Sequence, residues 1–251
     1  MKNKYTYAYS DLMEEMFFFP RRKEVAEQIV AVLHDNLKNK KLNTLICLEI
    51  GTSAGVIATV LSSYCKKVVA IDIDKQAEKY WKKHAKKNIE FKHMNAMNLS
   101  FKNNTFDIAV TNQDYEFIKD PQQYIDEIYR VLKPGGICFF GARNKLNIIE
   151  GQYNIPFLSW LPESLAKKYI EALGRKKYFL ANYKTIWGLR KLCKRFIIKD
   201  YTIIILKNPD KFHYKKLIKY KKIINFIPSQ ALTLLEFLIP NFIWILQKPQ
   251  D

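Results

Sequence analysis

The sequence is short of acid. Its 251 residues hold 24 Asp and Glu against 42 Lys and Arg, a formal charge of +18 at pH 7. That excess points to an anionic partner, whether nucleic acid, an anionic membrane face or an acidic substrate. A solubilising lysine coat on a biased composition explains it equally well. Cysteine is scarce too: Cys47, Cys65, Cys138 and Cys193 are scattered without metal-type spacing, so no metal centre is expected. Cys47 and Cys138 fall inside apolar strand-like runs and read as buried free thiols of a reducing compartment. Met1–Tyr9 lacks the apolar run of a signal peptide, which makes the cytoplasm the expected location. A clean membrane span is missing as well. Ile223–Leu246 is long enough, but Pro228, Glu236 and Pro240 interrupt it, and Asn241–Gln247 is needed as a strand.

What is present is organised around Leu45–Gly55, Leu-Ile-Cys-Leu-Glu-Ile-Gly-Thr-Ser-Ala-Gly. An apolar run of strand length, with one acid at Glu49, stops at Gly51. Small residues then lead to Gly55 and the helical run Val56–Tyr64. A buried strand, a glycine turn and a helix N-terminus present backbone N–H groups to a ligand. Val68–Asp72 reads as a second strand ending in an acid. Asp72 lies about 20 residues beyond Gly51, where nucleotide-binding folds place a carboxylate on ribose hydroxyls, while Asp74 caps a helix expected over Lys75–Lys86. Further strands are expected at Ile89–His93, Phe106–Thr111 and Ile137–Phe140. An amphipathic helix is expected from Pro121 to Leu132, with a turn at Pro134-Gly135-Gly136 before the fifth strand. Ahead of all this, an aromatic arm (Tyr5, Tyr7, Tyr9, Phe17–Phe19) precedes a helix over Glu24–Leu37. The arm either closes over a ligand or packs the helix on the core. Strands and helices alternating at this spacing give a doubly wound parallel sheet.

Two ligand classes drop out at the turn. A dinucleotide fingerprint needs a third glycine where Val56 stands, and a P-loop needs Gly-Lys-Ser/Thr. The motifs Glu49-Ile-Gly51-Thr-Ser53-Ala-Gly55, Val-Val-Ala-Ile-Asp72, Phe106-Asp107-Ile-Ala-Val and Arg130-Val-Leu-Lys-Pro134-Gly-Gly136 come in order within residues 42–142. This ordered set resembles the class I S-adenosylmethionine-dependent methyltransferases, and within them the broad type-11 group that includes quinone and lipid methyltransferases. The resemblance implies a Rossmann-like α/β fold: a seven-stranded, mostly parallel sheet with an antiparallel last strand. It also implies that Glu49, Gly51, Ser53 and Gly55 line the methionine moiety of S-adenosylmethionine. Asp72 would hold the ribose hydroxyls, Ile73 would pack on adenine, and Asn95, Ala96 and Met97 would border the adenine ring. Thr111, Asn112 and Gln113 would approach the methionine end. Ser53 replaces the usual middle glycine, and Asn95 replaces the usual acid near the adenine amino group.

For the acceptor, the fourth strand ends in Thr111-Asn112-Gln113-Asp114, without the Asn/Asp-Pro-Pro-aromatic tetrapeptide used on exocyclic base nitrogens. No paired cysteines offer a pyrimidine C5 nucleophile. Transfer to oxygen or to an already nucleophilic atom needs alignment and at most one base. Asp114 and Glu116 are the acids nearest the expected reaction centre, and each reads either as that base or as a solvated loop carboxylate. His93 reads as structural.

Residues 143–196 are expected to form acceptor-side helices, one from Leu161-Pro162-Glu163-Ser164 to Leu173 and one over Thr185–Phe196. Phe196–Leu206 is expected as the sixth strand and Asn241–Gln247 as the last. Between them, 208–240 is an insertion in which basic and apolar residues alternate, followed by a nearly uncharged helix over Ala231–Ile239. It reads as an interfacial element on an anionic membrane, a lid over a greasy substrate, or a plain helical subdomain. The sequence therefore describes one methyltransferase domain over 1–251: arm and helix 1–41, cofactor core 42–142, acceptor side 143–196 and the insertion. It would methylate a small or lipid-linked acceptor, in the cytoplasm or peripherally at the inner membrane face. An RNA methyltransferase and a non-catalytic S-adenosylmethionine-binding interaction protein are the alternatives.

Overall fold

The computed structural model of the chain describes residues 19–38, 40–151, 153–175 and 181–250. The aromatic arm lies outside them apart from the backbone of Phe19. Strands β1 (Ile46–Ile50), β2 (Lys67–Asp72), β3 (Ile89–His93), β4 (Phe106–Asn112) and β5 (Leu132–Arg143) run parallel. A further strand, β9 (Asn241–Gln247), lies antiparallel between β5 and β8 (Ile197–Asp200), giving the order β3-β2-β1-β4-β5-β9-β8. This is the doubly wound sheet, with its antiparallel last strand, that the strand spacing and motifs predict.

Both faces of the sheet are covered, which is why its central strands read as nearly unbroken apolar runs. On one face α1 (Phe19–Leu37), α2 (Val56–Leu61) and α7 (Thr202–Lys207) pack with Cys47, Val68, Ala70, Ile108 and Val110. On the other, α4 (Pro121–Val131) and α6 (Ile186–Leu192) pack with Leu48, Val69, Ala109 and Phe140. The four cysteines are buried and free.

The backbone corrects several expected boundaries. Strand β5 begins at Leu132: Lys133–Gly136, expected as a turn, is a bulge inside the strand, where Gly135 has φ 70° and the pairing with β4 shifts register. The sixth strand stops at Asp200, whose carboxyl Oδ1 accepts the Thr202 N–H at 2.8 Å as α7 begins. The β-branched run that follows is helical because Ile205 packs with Tyr201, Phe212 and α1; tertiary packing outweighs strand propensity there. The helix expected over Lys75–Lys86 is a 3-10 turn, Lys75–Ala77, followed by α3 (Glu78–His84), with Asp74 accepting the Gln76 N–H as the expected cap. Thr185 caps α6, which is shorter than expected.

After β5, a hairpin of β6 (Ile149–Glu150) and β7 (Ile155–Pro156) builds a small core of its own with α5 (Glu163–Ala172) and Tyr183. The segment between β8 and β9 contains α8 (Lys215–Ile218), α9 (Lys221–Phe226), α10 (Ser229–Leu234) and a 3-10 turn, Glu236–Leu238. The nearly uncharged helix expected over Ala231–Ile239 is therefore divided at Leu235. Among the described residues no helix is long and apolar enough to cross a membrane.

Candidate functional site

Strand order reverses between β1 and β4, and doubly wound sheets bind ligands at the carboxyl ends of strands at such a point. The chain leaves β1 through Gly51 (φ 72°), Ser53 (φ 49°) and Gly55 (φ 85°), which bend it sharply into α2. The N–H groups of Gly51 and Thr52 both donate to the Ile71 carbonyl at 3.0 Å. The Ser53 N–H donates to Asp72 Oδ2 at 2.7 Å and the Asp74 N–H to Asp72 Oδ1 at 2.8 Å, so the acid closing β2 is tied to the turn. From α3, the Trp81 indole N–H donates to the Ser53 carbonyl at 2.8 Å while its ring stacks on Phe91 at 5.2 Å. A Cβ at Gly51 would collide with the Asp114 carboxyl group, and one at Gly55 would lie 2.8 Å from the Phe91 ring.

Over this turn lies a cavity of about 180 Å³, room for about six waters at liquid density and more than a structural water site needs. Of the residues expected at the cofactor, Gly51, Ser53, Asp72, Ile73, Asn95, Ala96, Met97 and Asn112 stand in its wall, with Gln113. Glu49, Gly55 and Thr111 do not line it. Glu49 is buried beneath the turn, where one carboxyl oxygen accepts from the Thr52 hydroxyl and the other has no hydrogen-bond partner. Gly55 is spent on the start of α2. The Thr111 hydroxyl donates to Asp114 Oδ2 at 2.8 Å and accepts from the Tyr124 hydroxyl at 2.6 Å, so it props the acid rather than facing the cavity. Asn95 Oδ1 accepts the Met97 N–H at 2.9 Å, and His93 Nε2 donates to the Ile73 carbonyl at 2.8 Å, a structural tether.

Asp114 and Glu116 are not solvated loop carboxylates. Asp114 stands in the wall above Gly51, and burial pushes it up to about 7 against the pull of Thr111 and Arg22. Glu116 lies behind the wall with both oxygens unpartnered, and burial pushes it up to about 8. Arg143 Nε is 3.9 Å from it, too far for a hydrogen bond, so desolvation outweighs the opposing charge. Burial likewise raises Glu49 to about 8 and raises Asp72 despite its two amide donors.

Sequence reasoning missed Arg22, Arg143, Met94, Phe117, Ile118 and Lys119 in the cavity wall. Arg143 carries a usable signal, since it is the last residue of a parallel strand at the ligand-binding end. Arg22 carries none, because it arrives from α1 at the far end of the sequence. A larger groove of about 710 Å³ lies beside α4. Its charged side chains are engaged with their own neighbours, Arg130 with Glu127 and Arg195 with Asp126, so it is a weaker candidate.

Residues 48–140 match the family model for a methyltransferase domain. Over 113 residues the chain is 33% identical to the demethylmenaquinone methyltransferase of Lactococcus lactis subsp. lactis (strain IL1403), covering 43% of this chain and 44% of that protein. Over 151 residues it is 28% identical to the ubiquinone biosynthesis O-methyltransferase of Pelagibacter ubique (strain HTCC1062), covering 57% and 61%. The chain thus spans about half the length of the curated relatives it matches. The solved structure of an S-adenosylmethionine-dependent methyltransferase from Thermotoga maritima, described as a possible histamine N-methyltransferase, is alike in fold. Its TM-score is 0.54 at 17% identity, over 97% of this chain and 96% of that one. Residues 48–140 thus match a methyltransferase domain in sequence, and the sheet that contains them has the fold of a solved S-adenosylmethionine-dependent methyltransferase.

Proposed function

We propose that the chain moves a methyl group from S-adenosylmethionine to a small-molecule acceptor of quinol or phenol type. The observation that carries this reading is Asp72, whose two carboxyl oxygens each accept a backbone N–H at the lip of the glycine turn. The carboxylate is fixed, and its remaining lone pairs can accept from a vicinal diol such as a ribose. The rest of the wall fits the cofactor. Asp72, together with Asp114 once it ionises, supplies negative potential for a sulfonium and an ammonium group, while Glu49 below is held protonated by burial at neutral pH. Ile73, Ala96 and Met97 supply an apolar slot for adenine, with Asn95 at its edge. Ser53 and Gly51 form the floor under the amino-acid end, and Glu49, Gly55 and Thr111 act from beneath by shaping that floor.

Bound S-adenosylmethionine supplies an electrophilic methyl group, so the protein's main task is to place the acceptor atom. Asp114 is the wall residue suited to take an acceptor hydroxyl's proton, because a group pushed up to about 7 is a competent base at neutral pH. Phe117 and Ile118 beside Arg143 and Lys119 suit an aromatic ring that bears oxygens. The quinone chemistry in the names of both relatives supports the same class, and with it a lipid-linked acceptor.

Methyl-labelled S-adenosylmethionine, incubated with a short-chain demethylated quinol, is expected to label the quinol. Asp114→Asn is expected to slow transfer by about 10²- to 10⁴-fold while cofactor binding survives. Binding without transfer to any quinol or phenol would favour the interaction-protein alternative, and labelling of RNA instead would replace the acceptor.

A further inference from the structure

We infer that the segment 215–238 is a docking surface for an anionic lipid bilayer. None of α8, α9 and α10 buries a residue. Instead α9 and α10 rest on α7 and turn large apolar side chains to solvent. Phe226 is 90% exposed, Leu234 76% and Ile223 65%. Ile223 and Phe226 are three residues apart, and Lys222 and Phe226 four apart, so on α9 all three share one face. The apolar surface continues through Leu235 and Leu238 to Trp187 of α6, itself 59% exposed, whose ring stacks on Phe237 at 5.9 Å. Single exposed apolar residues need no explanation; a run of this extent marks an interaction surface.

Charge selects the partner. No Asp or Glu occurs between Asp210 and Glu236, whereas Lys211, Lys215, Lys216, Lys219, Lys221 and Lys222 all do. Lys211 pairs with Asp35 and Lys221 with Asp210, while Lys215, Lys216, Lys219 and Lys222 are exposed. A second copy of this chain would bring like charge to the same patch. Nucleic acid would call for exposed stacking aromatics and base-edge donors, and the patch is mainly aliphatic. Lysines beside exposed Phe, Leu and Ile, with a Trp at the margin, fit a bilayer surface, where apolar side chains sink below the headgroups and lysines meet anionic lipid. The surface joins the sheet at the cavity end. Asn144, next to Arg143, donates through Nδ2 to the carbonyls of Phe237 and Ile239 at 2.6 and 2.9 Å. Docking there would keep the cavity close to the lipid.

Flotation of the full chain with phosphatidylcholine vesicles, with and without added phosphatidylserine, tests this. The chain is expected to float with anionic vesicles and hardly at all with neutral ones. Each change among Lys216→Gln, Lys219→Gln and Lys222→Gln lowers partitioning by about fivefold. Phe226→Ser combined with Leu234→Ser lowers it by about tenfold or more. Because these side chains are exposed, far-UV circular dichroism and S-adenosylmethionine binding stay at wild-type level, which separates this result from any failure of the cofactor site. Equal flotation with neutral and anionic vesicles overturns the inference. So does a serine double variant that floats like wild type, or RNA binding that the lysine variants lose and the serine variant keeps.

Discussion

Asp114 keeps its proton up to about pH 7 because burial outweighs the Thr111 hydroxyl, the Asn112 N–H and the charge of Arg22. A cationic ligand beside it favours the ionised form. Affinity for S-adenosylmethionine is therefore expected to rise by up to about tenfold between pH 6 and 8, with proton release visible by calorimetry in buffers of different ionisation enthalpy. Asp114→Asn should flatten that profile. Glu116 makes the opposite kind of demand, on stability. Its folded value, about 8, lies above the ordinary 4.5, so between those values the unfolded chain has released a proton that the folded chain keeps. Stability then falls as pH rises from about 4.5 to 8 and levels off above. Glu116→Gln should remove Glu116's share of that slope, leaving the parallel share of Glu49 and Asp114, and make the protein roughly 2–5 kcal/mol more stable than wild type at pH 9, read from urea midpoints. Both acids are legible in the sequence as loop residues after the fourth strand. Their burial is not, and among the charged groups that act on them Arg22 of α1, Arg143 at the end of β5 and Glu150 of β6 come from outside that loop.

Among the elements, α3 does more than cover β2 and β3. Its Trp81 holds the carbonyl of Ser53, the residue that stands for the usual middle glycine, while stacking on Phe91. Trp81→Phe keeps a ring for the stack and leaves that carbonyl without its donor. A loss of about 1–3 kcal/mol is expected in urea unfolding, with weakened cofactor binding as the turn loosens. The strands themselves were the most legible elements. The bounds of β3 and β9 coincide with the expected runs: β9 carries a nearly continuous apolar run inside the sheet, and the edge strand β3 alternates Ile89 and Phe91 with Glu90 and Lys92. The start of β5 and the end of β8 misled for opposite reasons. Pro134-Gly135-Gly136 carries turn chemistry that the fold uses for a bulge, and Thr202–Ile205 carries strand propensity that packing against α1 turns helical.

Across the whole molecule, legibility divides near residue 142. The cofactor-side core has a repeated strand–helix period and four ordered motifs, so its topology and about half of the cavity wall could be read in advance. The later part has short helices, a two-stranded hairpin and an insertion whose helices bury no residue. Without a buried stripe there is no hydrophobic period to read, and charge becomes the only guide. The +18 balance is thereby concentrated into one usable statement, a patch without acids that carries exposed lysines and exposed apolar side chains together.

The central claim is that S-adenosylmethionine binds on the turn between Ile50 and Val56, held by Asp72. Isothermal titration of the full chain with S-adenosylmethionine, beside Asp72→Ala checked by circular dichroism, measures it directly. Wild type is expected to bind one equivalent, and the variant, still folded, to bind about 10- to 100-fold more weakly through loss of the carboxylate's hydrogen bonds. No binding by wild type, or equal affinity in the folded variant, would contradict it.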